Sequence, residues 1–249
     1  MQGQLSRAGY TIHFESSGVG PRLIWVDPAL GSSSMRPMQE ALAGLAERFE
    51  VVTYDRRGRG RNESADIVSA TAEVDDLLAL VEHVGGTALI AGFSSGAGLV
   101  LHAAGQLPAA TVVLVEPAVA GTPDESGLRE SVQRRVADGD LEGAVREFYE
   151  ATGTPEEIIQ GLSDSPVWGD VVRCAPTLIA DIDLTFVDDD VLAAVQKPVH
   201  VIVSDGSPPE ITGMGTELAA RVHAPVWREP GGWHGVDASA LCARLVALD

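Results

Sequence analysis

The chain of 249 residues is long enough for one large domain with a substantial core. Its 36 acidic residues exceed its 17 basic residues, and the net charge of −19 repels phosphate backbones and anionic membrane surfaces, so neither nucleic acid nor a membrane is expected as a partner. Two cysteines, Cys174 and Cys242, lack metal-ligand spacing and predict packing residues in a reducing compartment. Without a signal-like start or an apolar run approaching about 18 residues, the sequence predicts a cytoplasmic protein.

The first half of the chain alternates short apolar runs with longer helical patterns. The runs at 10–14 and 23–26, joined by a turn-forming segment at 16–21, predict an opening β-hairpin. Because the later runs are apolar throughout, they predict an α/β fold, in which helices cover both faces of a mostly parallel central sheet. These strands are expected at 51–54, 88–91 and 112–115, and the helices before them at 35–48 and 71–84.

Between residues 117 and 197 the pattern changes to helical segments with no convincing strand. We interpret 117–197 as a helical lid inserted into a single domain that spans 1–249. The insertion contains acidic residues that lack the glycine and spaced glutamate of a calcium loop, so a solvated acidic face is expected there. These residues are Asp181, Asp183, Asp188, Asp189 and Asp190. Strands at 199–203 and 225–227 and a closing helix at 238–248 are expected to complete the domain.

The most informative segment is Gly92-Phe93-Ser94-Ser95-Gly96, which follows an apolar run and leads into a helical pattern. This arrangement predicts that Ser94 lies on a tight turn between a strand and a helix, with a strained backbone of positive φ. The glycine at each end lets neighbouring chain pass close to the turn. The helix N-terminus would supply backbone N–H groups that stabilise a developing anion, so Ser94 is the candidate nucleophile.

A serine hydroxyl needs a base to accept its proton. In this order of strands the base is expected after the last strand, and His234 lies there, in the loop Gly231-Gly232-Trp233-His234-Gly235. A packing histidine is not expected in so glycine-rich a loop, so His234 is the candidate general base. The other histidines lie in expected strands, helices or turns without metal-ligand spacing, and no metal is expected.

Together with these two residues, the turn Tyr54-Asp55-Arg56-Arg57-Gly58-Arg59-Gly60 makes the chain resemble the α/β-hydrolase family over nearly its full length. In that family an Asp-x-Arg-Gly-x-Gly turn follows an early strand. We interpret the turn as structural, with Asp55 and the arginines fixing a loop near the site. A phosphate-binding loop is the alternative, but the Gly-Lys-Ser/Thr ending of a P-loop is absent from the sequence. The resemblance implies the α/β-hydrolase fold.

The resemblance also implies an oxyanion hole built from two backbone N–H groups, one after the nucleophile and one in the loop after an early strand. In this chain these are the N–H groups of Ser95 and Ala29. Asp27 and Pro28 stand where the family usually has His-Gly. A carboxylate turned toward the hole would oppose the negative charge that develops there, so the direction of the Asp27 side chain bears on catalysis.

The acid that orients the histidine has two candidates. In most of the family an aspartate follows the strand expected here at 199–203, but the corresponding position holds Ser207, and Asp205 is two residues out of register. Glu116 ends the strand after the elbow helix, which is an alternative acid position in parts of the family. A glutamate is also unusual at the end of a buried strand. We therefore favour Glu116 and keep Asp205 as the alternative.

Glu116 has a competing explanation in a dinucleotide-binding fold. That fold places a ribose-binding acid about 20 residues beyond its glycine-rich turn, and Glu116 lies at a comparable distance from Gly92. However, Gly92, Gly96 and Gly98 do not form G-x-G-x-x-G, and the unit does not follow the first strand. The hydrolase interpretation is therefore favoured.

These residues favour a small-molecule serine hydrolase that acts on an ester, lactone or thioester through an acyl-enzyme on Ser94, with no metal or organic cofactor. One alternative is a cofactor-independent cyclase, dehydratase or isomerase that uses His234 and an acid in the same pocket. Another is a ligand-binding protein that kept the fold without turnover. The insertion is expected to set substrate choice, and the sequence predicts neither the substrate nor the oligomeric state.

Overall fold

The computed structural model describes residues 1–7, 10–62, 68–109, 111–122 and 127–248. The strands of its main sheet are, in chain order, β1 (Gln2–Arg7), β2 (Tyr10–Ser17), β3 (Arg22–Val26), β4 (Glu50–Tyr54), β5 (Leu89–Phe93), β6 (Thr111–Val115), β7 (Val199–Ser204) and β8 (Val226–Glu229). They lie side by side in the order β1-β2-β4-β3-β5-β6-β7-β8. β2 is antiparallel to both β1 and β4, and the other neighbouring pairs are parallel. This confirms the α/β fold with a mostly parallel sheet.

Helices cover both faces of the sheet. The helices are, in chain order, α1 (Gln39–Leu45), α2 (Ala70–His83), α3 (Ser95–Ala104), α4 (Leu128–Ala137), α5 (Leu141–Ala151), α6 (Glu156–Ser163), α7 (Trp168–Arg173), α8 (Leu178–Thr185), α9 (Asp189–Ala193), α10 (Pro209–Arg221) and α11 (Ala238–Val246). Leu23 and Trp25 of β3 join an apolar cluster with α1 and α11. Ile24 and Val26 join another with α2, α3 and α10. No helix in the described ranges is long and apolar enough to cross a bilayer.

The opening of the chain differs from the predicted hairpin between 10–14 and 23–26. β2 pairs with β1 and β4, whereas β3 lies between β4 and β5, so that prediction is wrong. Strands adjacent in sequence often pair. Here β3 is buried on both faces and takes a central place in the sheet, while β2 is only half-buried and stays near the edge.

Six helices of the described chain, α4 to α9, lie between β6 and β7, where the sequence predicts an insertion. Buried side chains of α4, α5, α7 and α8 form an apolar cluster together with Leu30 from the loop after β3. α8 packs against α3. Gly98 of α3 permits this close approach, because a Cβ atom there would lie 2.1 Å from the carbonyl oxygen of Leu184. That these helices act as a lid on a single domain stays a prediction.

The acidic residues of the insertion do not all face solvent. Asp181 is fully buried, so the prediction of a solvated acidic face is wrong for this residue. Asp189, by contrast, is exposed and pairs with Arg221 at 2.9 Å. The difference arises because Asp181 has two buried guanidinium partners, which compensate for the loss of water around its charge.

Candidate active site

Ser94 lies at the junction of β5 and α3. Its backbone has φ 54° and ψ −121°, a strained conformation that costs about 1–3 kcal/mol for a residue with a side chain. The junction is tight: a Cβ atom on Gly92 would lie 2.3 Å from the carbonyl oxygen of Gly96, and one on Gly96 would lie 2.5 Å from that of Val26. The Ser94 N–H donates to the carbonyl oxygen of Val115 at 3.0 Å. These contacts give Ser94 the elbow geometry and place it beside the end of β6.

His234 lies in the two-residue turn of a small hairpin formed by β9 (Gly231–Gly232) and β10 (Gly235–Val236). Its backbone φ of 44° is also in the strained left-handed region. The imidazole stacks on the ring of Phe93, with the ring centres 5.2 Å apart. Because Phe93 directly precedes Ser94, this stacking brings the His234 ring to the elbow.

Glu116 is fully buried directly after β6 and has a backbone φ of 47°. Its N–H donates to the carbonyl oxygen of Ile202 at 2.7 Å. Carboxylate Oε1 accepts a hydrogen bond from the Ser204 N–H, and Oε2 lies 3.5 Å from Nδ1 of His234. This is an ion-pair distance, and Nδ1 makes no hydrogen bond within the described residues. A carboxylate so placed favours the histidine tautomer that carries its proton on Nδ1.

Ser207 connects Glu116 with His234. Its hydroxyl donates to Oε2 of Glu116, the oxygen that faces the histidine, and accepts a hydrogen bond of 3.0 Å from the His234 backbone N–H. Asp205 is exposed, and within the described chain no hydrogen bond or ion pair joins its side chain to His234. The structure therefore brings Glu116 and His234 together and leaves Asp205 outside, while the catalytic roles of these residues stay predictions.

The loop after β3 contains Ala29, the expected oxyanion donor. Within the described chain its N–H donates to no other residue. Asp27, at the start of the loop, is buried; its Oδ1 accepts from Nε1 of Trp25 at 3.0 Å, and its Oδ2 pairs with Nε of Arg36 at 2.7 Å. Burial raises the pKa of Asp27, and Arg36 opposes that shift. Both carboxylate oxygens are thus held by donors, one from β3 and one from a later residue of the same loop.

Asp55 ties the arginine-rich turn after β4 to the loop after β3. Its Oδ1 accepts from the Ser33 N–H at 2.6 Å, and its Oδ2 accepts from the Ser33 hydroxyl at 2.8 Å. The Arg61 N–H also donates to Oδ2 at 3.1 Å. A Cβ atom on Gly60, whose φ is 51°, would lie 2.6 Å from the Asp55 carboxyl carbon. The turn therefore holds the loop in place, in the structural role that the sequence predicts for it.

Arg56 and Arg59 extend from this turn into a buried cluster with two carboxylates, Glu73 and Asp181. Arg56 lies 2.5 Å from Glu73 and 3.0 Å from Asp181, and Arg59 lies 2.7 Å from Asp181. Burial opposes ionisation of Asp181, but Arg59 and Arg56 outweigh it, and the pKa of Asp181 lies below its ordinary value. Burial likewise lowers the pKa of Arg56, but Glu73 and Asp181 outweigh it and raise that pKa. The four groups therefore form a charged cluster with no net charge.

Comparison with known proteins shows a match to the alpha/beta hydrolase family over residues 17–247. The chain belongs to this family. The protein is similar to an alpha/beta hydrolase from Sphaerobacter thermophilus, with a TM-score of 0.86 and 29% identity over 98% of this chain and 99% of that chain.

Solved structures with lower sequence identity share the fold of this protein. A thermophilic esterase from Thermogutta terrifontis has a TM-score of 0.71 and 18% identity, over 99% of this chain and 95% of that chain. A bromoperoxidase from Bacillus anthracis has a TM-score of 0.73 and 18% identity, over 100% of this chain and 98% of that chain. Proteins named for different reactions thus have this fold, and the fold alone does not define the reaction.

Two residues contribute to the site of this protein in ways that the sequence does not predict. Ser207 lies at the position where the family usually has its acid. A hydroxyl at that position together with an acid at Glu116 is the sequence signal that would have indicated a hydrogen bond between them. Asp181 lies between Ala180 and Ile182, and this apolar setting is the signal of a buried acid. No group of three or more His, Cys, Asp or Glu side chains in the described ranges is arranged to hold a metal ion.

Proposed function

We propose that the protein is a small-molecule serine hydrolase that cleaves an ester, lactone or thioester through an acyl-enzyme on Ser94. The observation that carries this proposal is the stacking of His234 on Phe93, directly beside a serine with the strained elbow backbone. The Glu116 carboxylate next to the histidine supports the same chemistry. Membership of the alpha/beta hydrolase family supports it as well.

In the proposed reaction the Ser94 hydroxyl attacks the substrate carbonyl carbon while His234 accepts the hydroxyl proton. Glu116, 3.5 Å from Nδ1, stabilises the resulting imidazolium. His234 then gives this proton to the leaving alcohol or thiol. In the second half of the reaction it takes a proton from the water that attacks the acyl group, and it returns this proton to Oγ of Ser94 as the acid is released. A positioned base of this kind contributes about 10²–10⁴-fold to the rate.

The oxyanion formed in each half-reaction needs hydrogen-bond donors. The Ser95 N–H lies in the first turn of α3, where backbone N–H groups have no intrahelical acceptor and the helix dipole favours negative charge. The Ala29 N–H is the second proposed donor. Asp27 does not oppose the oxyanion in this proposal, because Arg36 neutralises its charge and both its oxygens already have donors. Each donor to an oxyanion contributes about 10²–10³-fold.

A fluorophosphonate probe followed by mass spectrometry of the labelled peptide tests the nucleophile directly. We expect the wild-type protein to be labelled on Ser94 and to hydrolyse short acyl esters. Ser94→Ala should lose the labelling and lower hydrolysis by at least about 10³-fold, and His234→Ala should slow both processes. Ser163→Ala changes a serine of α6 whose hydroxyl donates to the Gln160 carbonyl, and as the control it should behave like the wild type.

Other outcomes would indicate a different function. Full esterase activity in Ser94→Ala removes the proposal. Turnover of a native substrate that survives Ser94→Ala but is lost in His234→Ala would indicate cyclase, dehydratase or isomerase chemistry. Thermal stabilisation by ligands without turnover, across a panel of esters, lactones and thioesters, would indicate a binding protein.

A further inference from the structure

Two buried arginines donate hydrogen bonds to the backbone of the loop that carries Ala29. Nη1 of Arg56 donates to the carbonyl oxygen of Asp27 at 3.1 Å, and Nη1 of Arg59 donates to that of Pro28 at 2.6 Å. Both guanidinium side chains are completely buried. These are charge-assisted bonds, because the donors are ionised guanidinium groups. Water does not compete for them in this buried medium of low dielectric constant, so they belong to the strong class of hydrogen bond.

The bond to Pro28 fixes the direction of the Ala29 N–H group. The peptide between these residues is trans, and the C=O and N–H groups of a trans peptide point in opposite directions. A carbonyl held toward Arg59 therefore directs the Ala29 N–H away from the buried cluster. The Pro28 carbonyl also accepts from the Gly31 N–H at 3.1 Å, and Leu30 between them has a strained φ of 61°, so Arg59 is the second donor that holds this turn.

Asp181 connects this loop with the second proposed donor. Its Oδ2 pairs with Arg59, and its Oδ1 accepts a hydrogen bond of 2.8 Å from the Ser95 hydroxyl. Nη1 of Arg56 lies 3.4 Å from the same hydroxyl. One carboxylate of α8 is thus linked to Ser95 directly and to the Pro28–Ala29 peptide through Arg59.

We propose that Arg59 and Asp181 are positioning residues of the oxyanion hole: Arg59 sets the direction of the Ala29 N–H, and Asp181 holds both Arg59 and the side chain of Ser95, the residue that carries the other donor. This inference rests on the proposed function, in which the Ala29 and Ser95 N–H groups bind the oxyanion. The cluster suits this role because its two guanidinium groups and two carboxylates sum to zero charge. It holds the loop backbone without placing an unbalanced charge behind the hole.

Arg59→Lys tests the proposal, because lysine keeps a positive charge beside Asp181 but loses the planar fork that reaches Asp181 and Pro28 together. We expect this variant to lower kcat and the rate of fluorophosphonate labelling by about 10–100-fold, since both depend on the oxyanion. KM should change by less than about threefold, because the substrate carbonyl carries little charge before attack.

Arg57→Lys is the matched control from the same turn. Arg57 pairs with Asp76 at 2.7 Å, and its guanidinium lies over the Tyr10 ring, 4.1 Å from the ring centre. It makes no hydrogen bond to the loop after β3 within the described residues. Its kcat and labelling rate should stay within about twofold of the wild-type values, which separates loop positioning from a general effect of replacing an arginine.

Crystal structures of the two variants give a readout that is independent of activity. The Pro28–Ala29 peptide should be rotated in Arg59→Lys and unchanged in Arg57→Lys. An unchanged labelling rate in Arg59→Lys overturns the proposal. If Ser94 of the wild-type protein is not labelled at all, the proposed function fails. In that case the orientation of the Pro28–Ala29 peptide in the Arg59→Lys structure alone decides whether Arg59 positions this peptide.

A variant of the carboxylate covers the case in which Arg59→Lys does not fold. Asp181→Asn preserves the shape of the side chain and one acceptor oxygen, so it is expected to fold with reduced stability. It should lower kcat and the labelling rate in the same direction, whereas Asp183→Asn, on the same helix and half-exposed, should not. Equal labelling rates for these two aspartate variants would overturn the role of Asp181.

Discussion

The hydroxyl of Ser207 donates a hydrogen bond to the Glu116 carboxylate from the sequence position where most of the family has its acid. The same hydroxyl accepts a hydrogen bond from the backbone N–H of His234. One small side chain thus fixes the carboxylate and the histidine turn relative to each other. The carboxylate that follows β6 thus faces Nδ1 of the imidazole, and the hydroxyl that follows β7 contacts both this carboxylate and the histidine backbone.

Ser207→Ala removes both hydrogen bonds and leaves a buried carboxylate with one donor fewer. We expect kcat/KM for a short acyl ester to fall about tenfold, because the histidine turn loses its anchor. The free energy of unfolding should fall by about 1–3 kcal/mol, the usual cost of losing a hydrogen bond to a buried charged group. Steady-state kinetics and urea unfolding measure the two effects. Ser163→Ala is the control, and an unchanged kcat/KM in Ser207→Ala contradicts the prediction.

Glu116→Gln should lower kcat by about 10²–10⁴-fold, since the amide cannot stabilise the imidazolium or enforce the tautomer with its proton on Nδ1. Gln keeps the shape and one acceptor oxygen, so the fold is expected to persist. Asp205→Asn is the matched comparison, because Asp205 is the alternative acid, its side chain is exposed, and no hydrogen bond or ion pair joins it to His234 in the part of the chain that the structure describes. A larger loss in Asp205→Asn than in Glu116→Gln would reverse the assignment.

Gly98→Ala should destabilise the protein by about 1–3 kcal/mol or more, because the added methyl group would overlap the α8 backbone at Leu184. Gly213→Ala is the control within α10, where an added Cβ atom meets no atom within 4 Å. That substitution should stabilise the protein by about 0.5–1 kcal/mol, the difference in helix propensity. Urea unfolding of both variants checks the prediction, and equal effects on the two midpoints would contradict it.

The stability contribution of Asp181 should depend on pH. Burial opposes ionisation of this group, but Arg59 and Arg56 outweigh it and hold its pKa below the ordinary value. A depressed folded-state pKa stabilises the native protein above the unfolded-state pKa of about 3.9, and this contribution is lost as the pH falls through the folded-state pKa. The difference in unfolding free energy between wild type and Asp181→Asn should therefore be largest near pH 7.

Urea unfolding at pH 7 and at about pH 3.5, just below the unfolded-state pKa, compares the full contribution with one that has begun to fall. We expect the gap between wild type and Asp181→Asn to narrow at the lower pH. Asp189→Asn is a suitable control, because Asp189 is exposed and its removal should change stability little at either pH. A gap that widens on acidification would contradict the sign derived from the two arginines.

The fold is largely readable from the sequence because buried parallel strands are apolar throughout. The predicted strand at 88–91 overlaps β5, and the predicted strand at 112–115 lies within β6. β1 was not predicted, because an edge strand that is mostly exposed has no apolar alternation to detect. The pairing of β2 was also missed, since it depends on a crossover that brings β4 between two strands consecutive in sequence.

The site was readable to the extent that a residue was unusual for its position. Glu116 stood out as an acid at the end of an apolar strand, and His234 as a histidine among glycines. For Asp181 the prediction is wrong, because neighbouring aspartates suggest a solvated surface, whereas its burial depends on guanidinium groups that lie more than a hundred residues away in the chain. Long-range ion pairs of this kind leave no periodic pattern in a sequence.

The position of Asp181 within α8 constrains how substrate preference could be re-engineered in this protein. A chimera that exchanged the whole of 117–197 for a foreign segment would bring Arg56 and Arg59 together with Glu73 but without the second carboxylate, leaving an uncompensated buried cation. A graft that ends before Leu178 keeps this charge balance intact. The segment from α4 to α7 is thus the portion open to replacement, while α8 belongs with the buried charged cluster.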